Sequence, residues 1–454
     1  MDETAHPQGH SFGVPPARRR RIFGLALPII GGMLSQNVLN LVDTAMVGTL
    51  GDAALAGVGL GGFANFLLSA FILGLSAGVQ AMAARRVGER RVAETAIPLN
   101  GGLLMAVCFA VPWSMLLVTL APKYFPLLTG DSAVIEQGVP YLRVRLLAMF
   151  AMGMNFSFRG YWNAVDKSVL YMRTLISMHV LNIFLNWVFI FGNLGAPELG
   201  ATGAGVASAI ATVFGTASYF MLGRTYARDA GFLHGLPTRD TMKTIIRLAA
   251  PAGLQQFFFA AGMTVFLALV ARMGTPELAA TKVIIDLILL GILPGVGFGL
   301  AAASLAGQAI GRGTSEDAMR WGWDVTKIAM LVVGAISIPV LLFPQLILSI
   351  FIHDPATLGI AENPLRIFAA SLFFDSIGVV LMNALMGVGD TKRVMLISTC
   401  YQWLLFLPAV YIIGPVLGFD LVLVFLAQVA YRALQSLTFA LMWKRGRWQT
   451  IEIG

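Results

Sequence analysis

Three carboxylates, Asp43, Asp286 and Asp375, lie inside long apolar stretches of this chain, where few other side chains could do chemistry. An ionised group in hydrocarbon costs roughly 2.5 to 3.5 kcal/mol at a helix centre, so an acid kept there must face a polar partner or a wet cavity. Gln36, Asn40 and Asp43 fall at i, i+4 and i+7, which puts them on one helix face. An acid beside two amides is the kind of seat that takes a proton or a small cation. Gln36 and Asn40 would then line the adjoining cavity. His179, Asn182 and Asn186 share a second such face, and the spacing fits either an ion site or amide hydrogen bonds between helices. His179 reads as a satisfied buried histidine.

Asp375 sits among Phe373, Phe374, Ile377 and Val379, with Ser371 ahead of it on the same face, and is the second candidate titrating group. Asp286 differs, because Lys282 lies one turn earlier and predicts a structural ion pair. Arg143, Arg145 and Arg366 read as structural, snorkelling or pairing with Glu136 and Glu362.

The elements that must hold these groups are membrane helices. Of 454 residues, 57% are hydrophobic and 12% charged, against roughly 45–50% and about 25% in an ordinary soluble domain. That balance excludes a soluble enzyme and a disordered chain. Continuous apolar runs such as 331–352 exclude an outer-membrane barrel, whose strands alternate. The runs predict twelve spans near 23–47, 53–82, 96–120, 138–164, 169–192, 200–222, 245–271, 278–308, 321–348, 365–387, 394–416 and 421–443, an all-α polytopic membrane protein.

Alternate loops collect the basic residues, from Arg18 to Arg21, through Arg85 to Arg91, to Lys444, Arg445 and Arg447. The positive-inside rule therefore predicts that both termini are cytoplasmic in a bacterial-type inner membrane. The formal charge of +8 is thereby explained by topology and anionic lipid, with no nucleic-acid partner. Cys108 and Cys400 lie far apart in apolar runs and read as packing residues, giving neither a disulfide framework nor a thiolate metal site. No cleavable signal peptide is expected. There is no Walker A loop, His-Glu-x-x-His or Gly-x-Ser-x-Gly, and the glycines of Gly57-Val58-Gly59-Leu60-Gly61-Gly62 lie within a span and predict helix packing. Enzymatic chemistry and a bound cofactor are not expected.

Sliding the sequence by 223 residues sets Leu25, Ala26 and Pro28 on Leu248, Ala249 and Pro251, and Gly51, Gly74 and Gly88 on Gly274, Gly297 and Gly311; a one-residue shift then pairs Asp166 with Asp390. Two six-helix halves follow: a tail over 1–21, an N-terminal lobe over 22–223, a linker over 224–244, a C-terminal lobe over 245–443 and a tail over 444–454. Repeats of this kind suit a carrier that rocks two bundles about a central site. Pro28, on the helix of Asp43, marks a bend that could couple to it.

Leu27-Pro28, Gln36 and Leu41-Val42-Asp43-Thr44-Ala45-Met46-Val47-Gly48 resemble the first helix of the multidrug and toxic compound extrusion (MATE) family. Gly195-Ala196-Pro197-Glu198-Leu199-Gly200 resembles its join between helices 5 and 6, and Gly387-Val388-Gly389-Asp390-Thr391 its join between helices 10 and 11. The resemblance implies a V-shaped pair of six-helix lobes exporting organic cations and amphipathic drugs in exchange for protons or sodium ions. It places Asp43, Asn182 and Asn186 in an ion site of the N-terminal lobe, makes Pro28 a hinge, and matches Asp375 to an aspartate of sodium-coupled relatives. Asn186 stands where some relatives carry Asp, and Gln255, Gln256 and Phe257 stand where the sodium-coupled branch carries Glu. That inclines the expectation toward protons and toward the branch resembling DNA-damage-inducible protein F, with Gln256 in the cavity.

The expected cycle has Asp43 neutral when occluded and deprotonating when opened to water. Its cargo would be cationic or amphipathic compounds, and the carrier is expected to be a monomer. A flippase for lipid-linked intermediates is the alternative. It would need a basic cavity for a pyrophosphate headgroup, for which Arg143, Arg145 and Arg159 are the available cations.

Overall fold

The computed structural model describes residues 13–453. Their long elements are helices: α1 Pro16–Gly48, α2 Asp52–Gly88, α3 Ile97–Tyr124, α4 Ser132–Leu147, α5 Met149–Ala164, α6 Ser168–Phe191, α7 Gly200–Tyr226, α8 Arg239–Ala271, α9 Thr275–Gly311, α10 Ser315–Leu342, α11 Pro344–Leu348, α12 Pro355–Gly387, α13 Thr391–Cys400, α14 Leu407–Tyr411 and α15 Leu421–Arg445. Eleven helical segments of the described residues are long and apolar enough to cross a membrane, with α13 and α14 forming one of them over Thr391–Val416. The remaining crossing is shared by α4 and α5, of 16 residues each and broken at Ala148. The expected spans are therefore present. Most helices run past the apolar segment at one or both ends, because charged and polar residues continue the helix once outside hydrocarbon.

The repeat is plainest in the backbone. α1 and α8, α2 and α9, and the α4–α5 pair and α12 each begin and end 223 residues apart. The offset also persists through the following turn. Asp166 takes a left-handed φ of 58° and Gly389 one of 100°, so Asp166 corresponds to Gly389. The expected pairing of Asp166 with Asp390 is corrected: the left-handed residue fixes the register, and matching by residue type misplaced it by one.

Where the halves meet, small residues let backbones touch. A β-carbon on Gly74 would overlap Ala249 O of α8, and one on Gly88 would overlap Gln308 O of α9. The glycines of α2 nearer its start serve packing within the first half, Gly57 lying against α4 at Val134 O and Gly138 N. Polar links add to the joint. Gln80 Nε2 donates to Leu300 O at 2.8 Å and Ser304 Oγ at 2.9 Å; Arg21 donates to Gln308 Oε1 at 2.5 Å, and Gln308 Nε2 donates to Asp166 Oδ1 at 3.0 Å; Arg18 bridges to Asp317 and Asp324 at 2.7 Å each. Phe71 stacks on Phe257 with centroids 5.3 Å apart.

Among the described residues these contacts between halves come from the first half of α1, the second half of α2, the first half and middle of α8, the second half of α9 and the start of α10. These segments lie toward the end of the bundle that carries the basic loops. The halves are thus sealed at the basic face and part toward the opposite one, where α1 leaves Leu34, Val38 and Leu41 exposed. The loop of residues 227–238 folds onto the first half, burying Phe232 and receiving an Asn100 Nδ2 hydrogen bond on Gly231 O at 2.9 Å.

Candidate functional site

The polar face of α1 meets the polar face of α6. Pro28 removes one backbone donor from α1, and close by the Ser168 hydroxyl at the start of α6 donates to Leu25 O at 3.1 Å. Gly32 lies flat against Tyr171. From there the two helices run side by side toward the open face, and their polar residues pair in sequence.

The first pairings surround His179, whose ring nitrogens lie 3.0 Å from Ser35 Oγ and 3.1 Å from Gln36 Oε1. Both ring nitrogens have partners, as expected of a buried, satisfied histidine. Gln36 Nε2 in turn donates to Asn40 Oδ1 at 3.1 Å, and both amides are exposed on the α1 face.

Two turns further lies Asp43, half-buried. Asn186 Nδ2 donates to its Oδ1 at 2.5 Å. Asn182 satisfies its neighbours best with its amide turned, so that its nitrogen donates to Asp43 Oδ1 at 3.2 Å and its oxygen accepts from Ser208 Oγ at 3.0 Å and Ser208 N at 3.2 Å. Asn186 is fully buried and its Oδ1 has no partner among the described residues. One carboxylate and two amides, one of them with an unpaired oxygen, form a polar cluster that can hold a proton on Asp43 or offer oxygens to a small cation. Of the two readings of the α6 face, the amides do bridge helices, and they do so through Asp43.

Ser208 of α7 belongs to this site and was missed in the sequence. Ser208 comes from a stretch of small residues with no periodic polar signal. Arg145 of α4, expected as an outer-end structural cation, has its Nε buried with no partner among the described residues, just before the break at Ala148. Arg159 has Ser76 Oγ at 3.1 Å and the Phe156 ring at 4.4 Å, and pairs with no carboxylate among the described residues.

The second half places its acid differently. Asp375 is not a lone carboxylate: Arg432 of α15 grips it with two bonds of 2.7 Å, and Arg432 also donates to Gln435 at 3.1 Å. A cavity of about 230 Å³ adjoins the pair, lined by Ser371, Phe374 and Val429 among others. Arg432 was overlooked because it lies 57 residues from Asp375 on a helix read only for its apolar run. Gln256 is half-buried next to Phe257, while its neighbour Gln255 is buried with Nε2 3.5 Å from Met382 Sδ.

Other expectations are corrected. Lys282 and Asp286 are both exposed and form no ion pair among the described residues. Glu362 and Arg366 do pair, at 2.9 Å, whereas Arg143 donates to Val118 O at 3.2 Å. Cys108 and Cys400 are exposed on the outer helix surface instead of packed. The backbone symmetry does not extend to this chemistry, since the 223-residue offset carries Asp43 onto the fully buried Phe266.

The chain resembles known proteins along nearly its whole length. The probable multidrug resistance protein NorM of Thermotoga maritima is 26% identical over 452 residues, covering 96% of this chain and 94% of that one. The multidrug resistance protein MdtK of Yersinia pseudotuberculosis is 23% identical over 401 residues, covering 87% of each. Among solved structures, an outward-facing multidrug resistance MATE family transporter of the MOP superfamily superposes with a TM-score of 0.87 at 22% identity over 96% of this chain and 97% of that one. A MOP superfamily transporter from Pyrococcus furiosus, described as having a binding pocket of reverse polarity, does so with a TM-score of 0.86 at 21% identity over 96% and 97%. The MatE family model matches twice, over residues 28–188 and 251–412, and its two starting points repeat the 223-residue offset. The protein is a polytopic membrane protein and belongs to the MatE family of transporters.

Proposed function

We propose that the chain is a secondary antiporter that exports cationic or amphipathic organic compounds in exchange for protons. The observation that carries this reading is the cluster of Asp43, Asn182, Asn186 and Ser208, set in one half beside a cleft sealed on the basic face. In this state Asp43 is reached from the open face. A proton arriving there neutralises the carboxylate, and the charge-assisted bond from Asn186 weakens to an ordinary one. The cluster then no longer holds α1 and α6 in the same arrangement, and α1 is free to bend at Pro28. Cationic cargo attracted by the carboxylate is released outward as the charge is lost. Opening of the sealed face lets the proton leave and restores the cluster, and Asn186 Oδ1 gives the same site a weaker capacity for sodium.

With the basic loops in the cytoplasm, both termini are cytoplasmic and the open cleft faces outward across a bacterial inner membrane. Each lobe carries a core of its own and two further clusters join the lobes, which supports a monomer as the working unit. Gln36, Asn40 and Gln256 line the route of the cargo. The flippase reading has less support, because Arg143 and Arg159 are bound to separate partners and do not converge on one anion. Dye efflux from proteoliposomes with an imposed pH gradient or sodium gradient, one at a time, tests the assignment. Efflux driven by pH alone is expected, and efflux driven by neither gradient would refute antiport.

A further inference from the structure

The acid of the second half has its cation built in. Asp375 is buried, its side chain 3% exposed, and both of its oxygens are engaged by the Arg432 guanidinium at 2.7 Å. Arg432 is itself largely buried, 18% exposed, and Gln435 Oε1 takes a third of its donors at 3.1 Å. A planar guanidinium set side-on to a carboxylate takes one lone pair of each oxygen and neutralises the charge that would draw in another cation. Such a pair is expensive to open where little water reaches it. The arginine is covalently fixed to α15 and cannot be exchanged with either solution.

We infer that Arg432 is a coupling-specificity residue: a tethered counter-ion that keeps sodium off Asp375, so that the second half has no exchangeable cation site. This rests on the antiporter reading for its consequence, since coupling would then fall to Asp43 alone. The occupancy itself stands on geometry. The adjoining open pocket of about 230 Å³ is apolar apart from Ser371, Asp375 and Arg432, so with the guanidinium absent the bare carboxylate would be its attracting charge and a cation could enter with its own waters, at about 30 Å³ each. Asp375, Ser371 and those waters would offer it the oxygen ligands that a hard cation prefers.

The test measures sodium binding and not transport, on the full-length chain in nanodiscs. Asp43→Asn removes the first-half carboxylate and serves as background. Melting temperature and radioactive sodium binding are compared in sodium chloride and in choline chloride of equal ionic strength. The Asp43→Asn form is expected to show no sodium-specific effect. Adding Arg432→Gln is expected to produce saturable sodium binding and a sodium-specific rise in melting temperature, and adding Asp375→Asn to that pair is expected to abolish both. Arg432→Lys keeps a tethered cation and is expected to bind no sodium. If the Gln form does not fold, Arg432→Met fills the space of the stem and gives the same reading. The inference is overturned if the Asp43→Asn form binds sodium through Asp375 with Arg432 intact, or if neither neutral variant binds sodium. Because no gradient is involved, failure here is separate from failure of the efflux experiment.

Discussion

Asn186 donates a 2.5 Å hydrogen bond to Asp43 although 143 residues separate them in sequence. This contact joins α6 to the distal part of α1, beyond Pro28, while the proximal part of α1 is held to the other half by Arg18 and Arg21. The charge at Asp43 is therefore placed to govern how one end of α1 sits relative to the other.

Asp43→Asn removes the titrating group and keeps its shape. Efflux of a cationic dye driven by a pH gradient is expected to fall at least about tenfold, the equivalent of 1.4 kcal/mol, with little change in melting temperature. Efflux at the wild-type rate would show that coupling resides elsewhere.

Asn186→Ala deletes the shortest donor to Asp43. Hydrogen bonds to charged groups contribute about 1.5–3 kcal/mol, so a roughly ten- to hundredfold loss of pH-driven efflux is expected. Asn182→Ala, whose bond to Asp43 is longer at 3.2 Å, is expected to cost less. Measuring initial efflux rates for both variants at several imposed gradients gives the order, and the reverse order would contradict the geometry.

Gly88→Leu puts a side chain where α2 and α9 share backbone contact with Gln308 O and Gly311 Cα. The sealed face should no longer close, so spin labels on the basic-face ends of α2 and α9 are expected to move apart in the variant. Unchanged label distances would mean that the seal does not depend on this approach.

Pro28→Ala restores a donor to α1 and straightens it. The expected outcome is retained binding of dye with slowed turnover, read by comparing equilibrium binding with efflux under the same gradient. Unaltered turnover would remove Pro28 from the mechanism.

Membrane class, the approximate spans, the repeat and the side on which charge gathers could all be read from the sequence. Each is a statement about the solvent a residue prefers, and hydropathy and charge act residue by residue. The α1 face of Gln36, Asn40 and Asp43 and the α6 face of His179, Asn182 and Asn186 were legible for a related reason: helical periodicity projects neighbours in sequence onto one side.

What only the tertiary structure decided is which polar faces meet. Nothing in the spacing shows that Arg432 occupies Asp375 or that Ser208 completes the Asp43 cluster, because helix packing brings together residues from distant parts of the chain. It also decided that Lys282 and Asp286 stay apart, and that a left-handed Asp166 stands in the place of Gly389. The sequence sets what each helix must keep out of lipid, and packing chooses the partner, because a buried polar group is stabilised by whichever complementary atom the fold brings within hydrogen-bonding distance.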